Sequence, residues 1–427
     1  MKRTDRHKKL EDYRPQIAQC VKCGVCRAHC PVFGEEGREA VVARGKVTLA
    51  QALLNGEIEA DPQVAENLSK CLLCGKCVRR CPNQVPVDDI VLAARREIVA
   101  RRGQSLFGRS LTSVLRRPRL MQVLAAAASR FTRLLFRRIP QKSGLRLRFP
   151  TPFIDRQRSL PALAGKPFRS RHPEFITGRS EQPLVALFTG CMVNYLYPQI
   201  GEGALQALAA LGFNVTIPKD QGCCGLPALS AGDGVTASEL AKCNLQALGK
   251  RKPDHIVTLC ASCHSGLTHH FRELGPDYAE LADRVVDIHT LLRNEGLEDI
   301  LLQLPQPEQC DKVTWHTPCH LRNTGLDEAP RQLLAALPTV EWVKMHKANA
   351  CCGLGGTFSV HHYQTSRQLG AVKATAIAES GAERVATACP GCIMQLQDSL
   401  DQAGLPQQAC HVLELVGEAL AQDATVR

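Results

Sequence analysis

The sequence predicts a multidomain protein of α+β and α/β class, in which a helical domain is followed by two repeated α/β domains with parallel sheets. Three observations support this fold class. The same run of four cysteines and a proline occurs at residues 20–31 and 71–82, with helical patterns around it. A later set of five cysteines recurs at an offset of 128 or 129 residues (319 − 191 and 389 − 260). Around that later repeat, short apolar runs alternate with helical patterns, which is typical of parallel sheets covered by helices.

The composition limits the classes of protein to be considered. The chain of 427 residues is long enough for several domains, each with its own core. Its first ten residues are polar, and no stretch of about 18 apolar residues occurs, so we predict neither a secretory signal nor a membrane span. We expect a cytoplasmic location, where cysteines stay reduced and serve as metal ligands rather than disulfides. The aromatic content of 4% argues against nucleic-acid binding despite a net charge of +12.

The first predicted domain spans residues 1–103 and contains the two cysteine runs. Between these runs, apolar residues 42–54 recur at roughly helical spacing, and Gly56 follows as a stop signal. After the second run we predict another helix, capped by Asp88 or Asp89. The domain is therefore expected to be helical.

Residues 104–182 are expected to form a basic connector. From residue 95 to residue 182 there are 21 Lys and Arg but only 4 Asp and Glu. Pro118 is expected to divide the segment into two short amphipathic helices. The stretch 104–140 could contact the inner face of the cell membrane or an acidic partner. The alternative is a solvated linker whose leucines pack on the protein's own domains.

The two repeated α/β domains are expected at residues 183–300 and 311–427. In the first copy, the predicted strands and helices alternate as 184–190, 203–212, 213–218, 239–250 and 255–260. The cysteines follow strand ends, and ligand sites in parallel sheets collect at the carboxyl ends of strands. Each copy should therefore bring its five cysteines to one edge of its sheet.

The early cysteine runs predict two iron–sulfur clusters. In the spacing Cys-x2-Cys-x2-Cys-x3-Cys-Pro, three close thiolates bind one 4Fe-4S cubane and the fourth binds the other cubane. One cubane is therefore assigned to Cys20, Cys23, Cys26 and Cys81, and the other to Cys71, Cys74, Cys77 and Cys30. Zinc is the alternative, but a tetrahedral zinc site favours two separated cysteine pairs.

The five-cysteine sets are harder to interpret from chemistry alone. Four thiolates suffice for a cubane or for zinc, so a fifth indicates a larger centre. Cys243, Cys310 and Cys410 fall outside every pattern, and Cys243 is interpreted as a small buried residue of a helix. We interpret the three histidines beside candidate ligands as structural residues with satisfied hydrogen bonds, rather than as ligands or proton relays: His264, His316 and His320.

Taken together, these motifs resemble a known family. Eight ferredoxin-type cysteines followed by two CCG-type domains resemble the iron–sulfur subunits of glycolate oxidase, D-lactate dehydrogenase and anaerobic glycerol-3-phosphate dehydrogenase, and are similar to the catalytic subunit of heterodisulfide reductase. The spacing Cys-x31-Cys-Cys-x35-Cys-x2-Cys, with x36 in the second copy, carries the resemblance. It implies noncubane 4Fe-4S clusters in one or both CCG domains, or zinc in one of them. The implied ligands are Cys191, Cys223, Cys224, Cys260 and Cys263, and then Cys319, Cys351, Cys352, Cys389 and Cys392.

The resemblance also implies a function. A separate FAD subunit would oxidise lactate or glycolate, and this chain would pass the electrons to a quinone, a cytochrome or another carrier. The alternatives are a heterodisulfide-reductase-like subunit acting on a disulfide, an anaerobic glycerol-3-phosphate dehydrogenase subunit, a membrane docking module and a zinc scaffold. No serine–histidine triad, Walker loop or Rossmann fingerprint occurs, so we predict no catalytic residue and no organic cofactor site on this chain.

Overall fold

The N-terminal domain is helical, as the sequence predicts. The computed structural model describes residues 4–117, 120–121, 136–138, 145–149, 154–179 and 181–422. The first helices are α1 (Arg14–Ala18), α2 (Val25–His29), α3 (Pro31–Glu36), α4 (Ala43–Leu54), α5 (Pro62–Ser69), α6 (Lys76–Arg79), α7 (Val87–Arg102) and α8 (Leu106–Leu115). Short 3-10 turns at Glu11–Tyr13 and Glu39–Val41 complete this part. Buried apolar residues of α4, α5 and α7 form its core, against which most of the early cysteines pack.

The ends of α4 and α7 test the predicted helix signals. Helix α4 ends just before Gly56, whose φ of 71° is a left-handed conformation that stops the helix, so that prediction is confirmed. The predicted cap of α7 is wrong. Helix α7 begins at Val87, directly after Pro86, so Asp88 and Asp89 lie in its first turn and not at its cap. There Asp88 Oδ1 accepts a hydrogen bond from the Asp89 N–H over 3.2 Å, and burial raises the pKa of Asp88 to about 6.

The described part of the connector packs on the rest of the protein. Arg116, which directly follows α8, forms an ion pair with Glu239 over 2.8 Å. Phe168 is fully buried in the core of the α/β domains. An antiparallel pair, β1 (Phe136–Arg138) and β2 (Leu145–Leu147), lies between them in sequence. Most of the predicted second helix after Pro118, and about half of the stretch proposed to meet a membrane, lie outside the described residues. Among those described, no helix is long and apolar enough to cross a bilayer.

The first α/β domain contains a five-stranded sheet in the order β3-β5-β4-β6-β7. Its strands are β3 (Phe175–Ile176), β4 (Leu184–Phe188), β5 (Asn214–Thr216), β6 (His255–Thr258) and β7 (Val285–Asp287). Strands β4 to β7 are parallel, as predicted, whereas β3 pairs with β5 in the antiparallel direction. Strand β3 comes from the connector, ahead of the expected domain start at residue 183.

Helices cover this sheet and carry its cysteines. They are α9 (Gly190–Tyr195), α10 (Pro198–Ala210), α11 (Leu226–Ser230), α12 (Gly234–Gly249), α13 (Ala261–Ser265), α14 (Pro276–Asp283), α15 (Ile288–Asn294) and α16 (Leu297–Leu302). Helix α13 continues into a π-helical turn, Gly266–His270. The predicted alternation of strands and helices in this copy is therefore confirmed.

The second α/β domain has a four-stranded parallel sheet in the order β11-β10-β8-β9. Its strands are β8 (Asp311–Trp315), β9 (Val340–Trp342), β10 (Arg384–Thr387) and β11 (Gln408–His411). Its helices are α17 (Cys319–Thr324), α18 (Glu328–Ala335), α19 (Phe358–His361), α20 (Tyr363–Glu379), α21 (Pro390–Gln402) and α22 (Val412–Gln422). Helix α22 packs closely on α10 of the first domain, where a Cβ on Gly203 would lie 1.9 Å from the Leu413 carbonyl oxygen. The two α/β domains therefore share one continuous core.

An ion pair joins the helical domain to the first α/β domain. His269 Nε2 lies 3.0 Å from Asp89 Oδ1 and 3.1 Å from Oδ2. The hydrogen bond to Asp89 raises the pKa of His269 to about 9. Burial favours the neutral form of Asp89, but the hydrogen bond and charge of His269 outweigh it and lower the pKa of that carboxyl.

We expect Asp89→Asn to lower the midpoint of thermal unfolding by about 2 °C or less near neutral pH, because a pair with a half-exposed partner contributes less than about 1 kcal/mol. The raised pKa of His269 means that the contribution is complete below its unfolded pKa and disappears as the pH rises through about 9. The wild-type advantage should therefore vanish at about pH 10. Glu97→Gln on the same helix is the control, and an Asp89→Asn effect that persists at that pH contradicts the assignment.

Candidate metal centres

The eight early cysteines line two adjoining cavities. The first cavity is lined by Cys20, Cys23, Cys26, Cys77 and Cys81, and the second by Cys30, Cys71, Cys74 and Cys77. The last cysteine of each run therefore lies with the other run, which is the crossed grouping expected from the spacing. We call the set Cys20, Cys23, Cys26 and Cys81 cubane site 1, and the set Cys71, Cys74, Cys77 and Cys30 cubane site 2.

Both runs use the same backbone conformation to surround their cavities. Lys22 and Gly24 of the first run have φ angles of 57° and 87°, and Leu73 and Gly75 of the second have 54° and 64°. A left-handed residue next to one with negative φ turns successive backbone N–H groups toward one side, which favours an anionic group. Gly75 is also required sterically, because a Cβ there would lie 2.1 Å from Asn323 Nδ2.

Buried positive charge accompanies cubane site 2. Lys46 is 2% exposed, donates to the Val41 carbonyl oxygen, and lines the same cavity as Cys30 and Cys71. Arg95 is also buried and donates a 2.8 Å hydrogen bond to the Cys71 carbonyl oxygen. Burial raises the pKa of the Cys74 thiol to about 11, because desolvation disfavours the thiolate. Clustered thiols beside buried cations fit an anionic iron–sulfur cluster.

The first five-cysteine set (Cys191, Cys223, Cys224, Cys260 and Cys263) gathers at the carboxyl edge of the first sheet. Cys191 follows β4 and lies 3.9 Å, sulfur to sulfur, from Cys223. Hydrogen bonds from the Cys223 and Cys263 thiols lower the pKa of Cys224. The adjacent pair therefore connects Cys191 on one side of the set with Cys263 on the other.

The second five-cysteine set (Cys319, Cys351, Cys352, Cys389 and Cys392) has the same arrangement. The sulfurs of Cys352 and Cys392 are 3.7 Å apart, and the Gly353 N–H donates to Cys351 Sγ over 3.4 Å. Lys373 is fully buried, and charged Cys351, Cys352 and Cys392 would raise its pKa against the larger effect of burial. All 21 cysteines lie in the described ranges and are free thiols. Each set therefore has its thiols available as ligands.

The two five-cysteine sets meet at equivalent residues. Cys260 and Cys389 occupy the same position in the two copies, and their sulfurs are 3.9 Å apart. Ser262 lies between the copies, with its Oγ 3.6 Å from Cys389 Sγ and 2.9 Å from His320 Nδ1. The carboxyl edges of the two sheets therefore face each other.

Cubane site 2 adjoins the second set rather than the first. Arg322 and Asn323 of α17 each donate a 3.2 Å hydrogen bond to the Cys74 carbonyl oxygen. Cys74 belongs to a small buried cluster against which Cys319 and Cys351 pack. The four candidate sites therefore form a continuous row in the order cubane site 1, cubane site 2, second five-cysteine set and first five-cysteine set. This spatial order differs from the order along the chain.

The structure tests the roles that the sequence predicted for four residues outside these sets. His264 Nδ1 and His320 Nδ1 have hydroxyl partners, Thr258 at 3.4 Å and Ser262 at 2.9 Å, in agreement with a structural role. The ring of His316 shares a hydrogen bond with Cys352, but among the described residues its Nδ1 is buried without a partner, so this histidine is only partly satisfied. Cys243 is only partly buried and donates to the Asp220 carbonyl oxygen over 3.2 Å, so its interpretation as a buried hydrophobe is wrong.

Sequence reasoning missed the buried lysines, although a signal was present. Lys46 lies on the buried face of α4 with Ala43, Val47 and Ala50, at a position where the helical pattern requires an apolar residue. Lys373 occupies the corresponding kind of position on α20. A lysine on the apolar face of a helix near candidate ligands indicates a buried counter-charge.

The fold and the four cysteine sites define a class: an iron–sulfur, electron-transfer subunit of an oxidoreductase. Residues 16–85 match the 4Fe-4S dicluster domain, and residues 185–268 and 313–397 match the CCG cysteine-rich domain. The chain belongs to the family of iron–sulfur subunits that combine these two domain types. The clusters it carries are therefore of the 4Fe-4S type.

Three curated relatives illustrate the family. The chain is 28% identical over 422 residues to the probable glycolate oxidase iron-sulfur subunit of Bacillus subtilis, covering 95% of this chain and 94% of the relative. It is 32% identical to lactate utilization protein A of Geobacillus thermodenitrificans, over 54% of this chain and 98% of the relative. It is 29% identical to a subunit of the anaerobic glycerol-3-phosphate dehydrogenase of Escherichia coli, over 94% of this chain and 98% of the relative.

We expect Cys77→Ala to remove the cluster of cubane site 2, because Cys77 is one of that site's proposed ligands. Iron and acid-labile sulfide in anaerobically purified protein should fall by at least the content of one 4Fe-4S cluster. Cys243→Ala is the matched control, since this thiol lies outside all four sets, and it should keep the full content. Equal iron content in the two variants contradicts the ligand assignment.

Proposed function

We propose that this protein carries electrons from an FAD subunit, which oxidises a 2-hydroxyacid such as lactate or glycolate, to a quinone, a cytochrome or another carrier. The observation that supports this proposal best is the continuous row of four cysteine sites. The names of the relatives from Bacillus subtilis and Geobacillus thermodenitrificans point to glycolate or lactate. The relative from Escherichia coli makes glycerol 3-phosphate the second candidate donor.

In this proposal, cubane sites 1 and 2 hold the two cubanes, and the two five-cysteine sets hold one or two noncubane 4Fe-4S clusters, with zinc in one set as the alternative. Bound iron–sulfur clusters accept and release single electrons. The chain itself supplies thiolates, buries Cys352, Cys389 and Cys392 of the second set, and places Lys46 and Lys373 where they offset negative charge. Burial, local charge and hydrogen bonds to sulfur set the reduction potential of such clusters.

The accessible end of the row lies at cubane site 1. Cys23 is exposed there, and Val21 and Val25 on either side of it have 68% and 42% of their surface exposed. Exposed apolar side chains beside a redox site favour contact with another protein. We infer that a redox partner of the complex approaches at Val21 and Val25.

We expect co-expression with an FAD-containing 2-hydroxyacid dehydrogenase subunit to give a complex that reduces a quinone analogue with lactate or glycolate. In the complex with Cys77→Ala, substrate should still bleach the flavin while quinone reduction falls to background. The Cys243→Ala complex should keep both activities. Full quinone reduction by the Cys77→Ala complex contradicts the electron-transfer role. Activity with glycerol 3-phosphate, and none with lactate or glycolate, would identify glycerol 3-phosphate as the donor.

The contact between Cys260 and Cys389 favours one other function, reduction of a disulfide at the facing five-cysteine sets, as in heterodisulfide reductase. Such a reaction takes two electrons from the reduced protein and two protons from solvent, and releases two thiols per disulfide. Mixing reduced protein with a small disulfide and titrating the thiols decides between the functions. Stoichiometric thiol release would favour the disulfide reaction, and its absence would favour electron transfer alone.

The location of the complex is a separate proposal. We infer a cytoplasmic protein in which the basic stretch 104–140 can touch the anionic inner face of the membrane. Co-sedimentation with anionic vesicles that is lost at high salt would support this contact. Equal sedimentation with neutral vesicles would contradict it.

A further inference from the structure

The two α/β copies differ at one position beside their cysteines. Phe188 ends β4, three residues before Cys191, and His316 follows β8, three residues before Cys319. Both side chains are 1% exposed. Because the two segments align through the repeat, these residues occupy equivalent places in the two copies.

The two rings also lie on the same side of their sets. In the first copy, a Cβ built on Gly190 would lie 3.1 Å from Cys263 Sγ and 3.6 Å from the ring of Phe188, so ring and thiol are close. In the second copy, a ring nitrogen of His316 and the sulfurs of Cys352 and Cys392 lie within 4.8 Å of one another. Cys392 is the counterpart of Cys263. An apolar ring in the first set is thus replaced by an imidazole in the second.

The ring of His316 already contacts one thiol of the second set, because it shares a side-chain hydrogen bond with Cys352. Its Nδ1 is buried and has no hydrogen-bond partner among the described residues, whereas His264 and His320 each have a hydroxyl partner. A buried ring nitrogen without a partner is unfavourable. The other contact of the ring, with Cys352, places the imidazole directly beside a proposed ligand.

We propose that His316 gives the metal centre of the second five-cysteine set a nitrogen contact that the first set lacks. A ring nitrogen either binds the metal or donates its N–H to a sulfur of the centre. Both contacts raise the reduction potential, since nitrogen ligands and hydrogen bonds to sulfur each stabilise the reduced form. The inference rests on the proposed metal site at this set, not on the identity of the electron donor.

Each of the two sets has a buried cation nearby, so buried positive charge alone does not distinguish them. Lys373 of the second copy donates to the carbonyl oxygens of Lys347 and Ala348 over 2.6 Å and 3.0 Å, and Asn244 stands at its place in the first copy. The first set has its own buried cation, Arg169, whose pKa is lowered by burial, an effect that Tyr195 and the charge of Cys191 oppose. The imidazole is therefore the clearer difference between the sets.

The experiment uses the anaerobic holoprotein with natural-abundance or ¹⁵N-labelled histidine. Cys319→Ser and Cys191→Ser first assign the paramagnetic signals of the reduced protein to the second and first sets. Pulsed EPR then measures nitrogen coupling in the second-set signal. We expect a histidine coupling that changes with ¹⁵N labelling and disappears in His316→Phe, the residue of the first copy. A large coupling identifies a metal-bound nitrogen and a small one identifies an N–H donor.

A redox titration of the same variants gives a second measurement. The ratio of reduced to oxidised second-set centre at a fixed potential should fall at least about tenfold in His316→Phe, a shift of about 59 mV to lower potential for one electron. His316→Gln, which keeps a polar side chain, serves if His316→Phe does not fold. His264→Phe is the control, because that ring lies beside a ligand of the other set and already has a partner.

The outcomes separate this inference from the proposals it depends on. A second-set signal without histidine coupling, or a ratio unchanged in both His316 variants, overturns the role of His316 alone. Metal content and spectra unaffected by Cys319→Ser overturn the metal site itself and this inference with it. Both readouts are independent of turnover with any flavoprotein, so failure of the proposed donor leaves them valid.

Discussion

The structure depends on holding many sulfur ligands close together away from water. Desolvated thiolates repel one another, and burying unpaired charge is strongly unfavourable. Cations that are buried beside the sulfurs offset this repulsion and this unpaired charge. Lys46 and Arg95 serve cubane site 2, Lys373 serves the second five-cysteine set and Arg169 lies near Cys191. Each of these cations also binds backbone carbonyl oxygens, which fixes the loops that carry the cysteines.

The packing of the domains turns separate sites into a row. The second α/β domain lies in the middle, with its Cys389 against Cys260 of the first copy and its α17 against the Cys74 loop of the helical domain. Close packing of α10 on α22 at Gly203 holds the two copies together. Because the copies face each other through equivalent edges, the repeat brings ten thiols into one region that a single domain could not build.

The connector is part of this assembly rather than a free linker. It supplies β3 to the first sheet and the buried ring of Phe168 to the shared core. Its Arg158 donates to Ser359 of the second domain, and the Ser159 N–H donates to Asp398. A basic segment thus contributes structure to both domains, and its charge does not by itself indicate a membrane surface.

The sequence by itself determined the helical and parallel-sheet classes, the crossed grouping of the early cysteines and the edge on which each later set lies. These features follow from local spacing: strand and helix periods, and cysteines placed just after strand ends. Only the tertiary structure decided that the second set lies between cubane site 2 and the first set, and that His316 and the buried lysines face sulfur. Those relations depend on contacts between residues far apart in the chain, such as Cys74 with Asn323, and short-range patterns carry no information about which surfaces will pack.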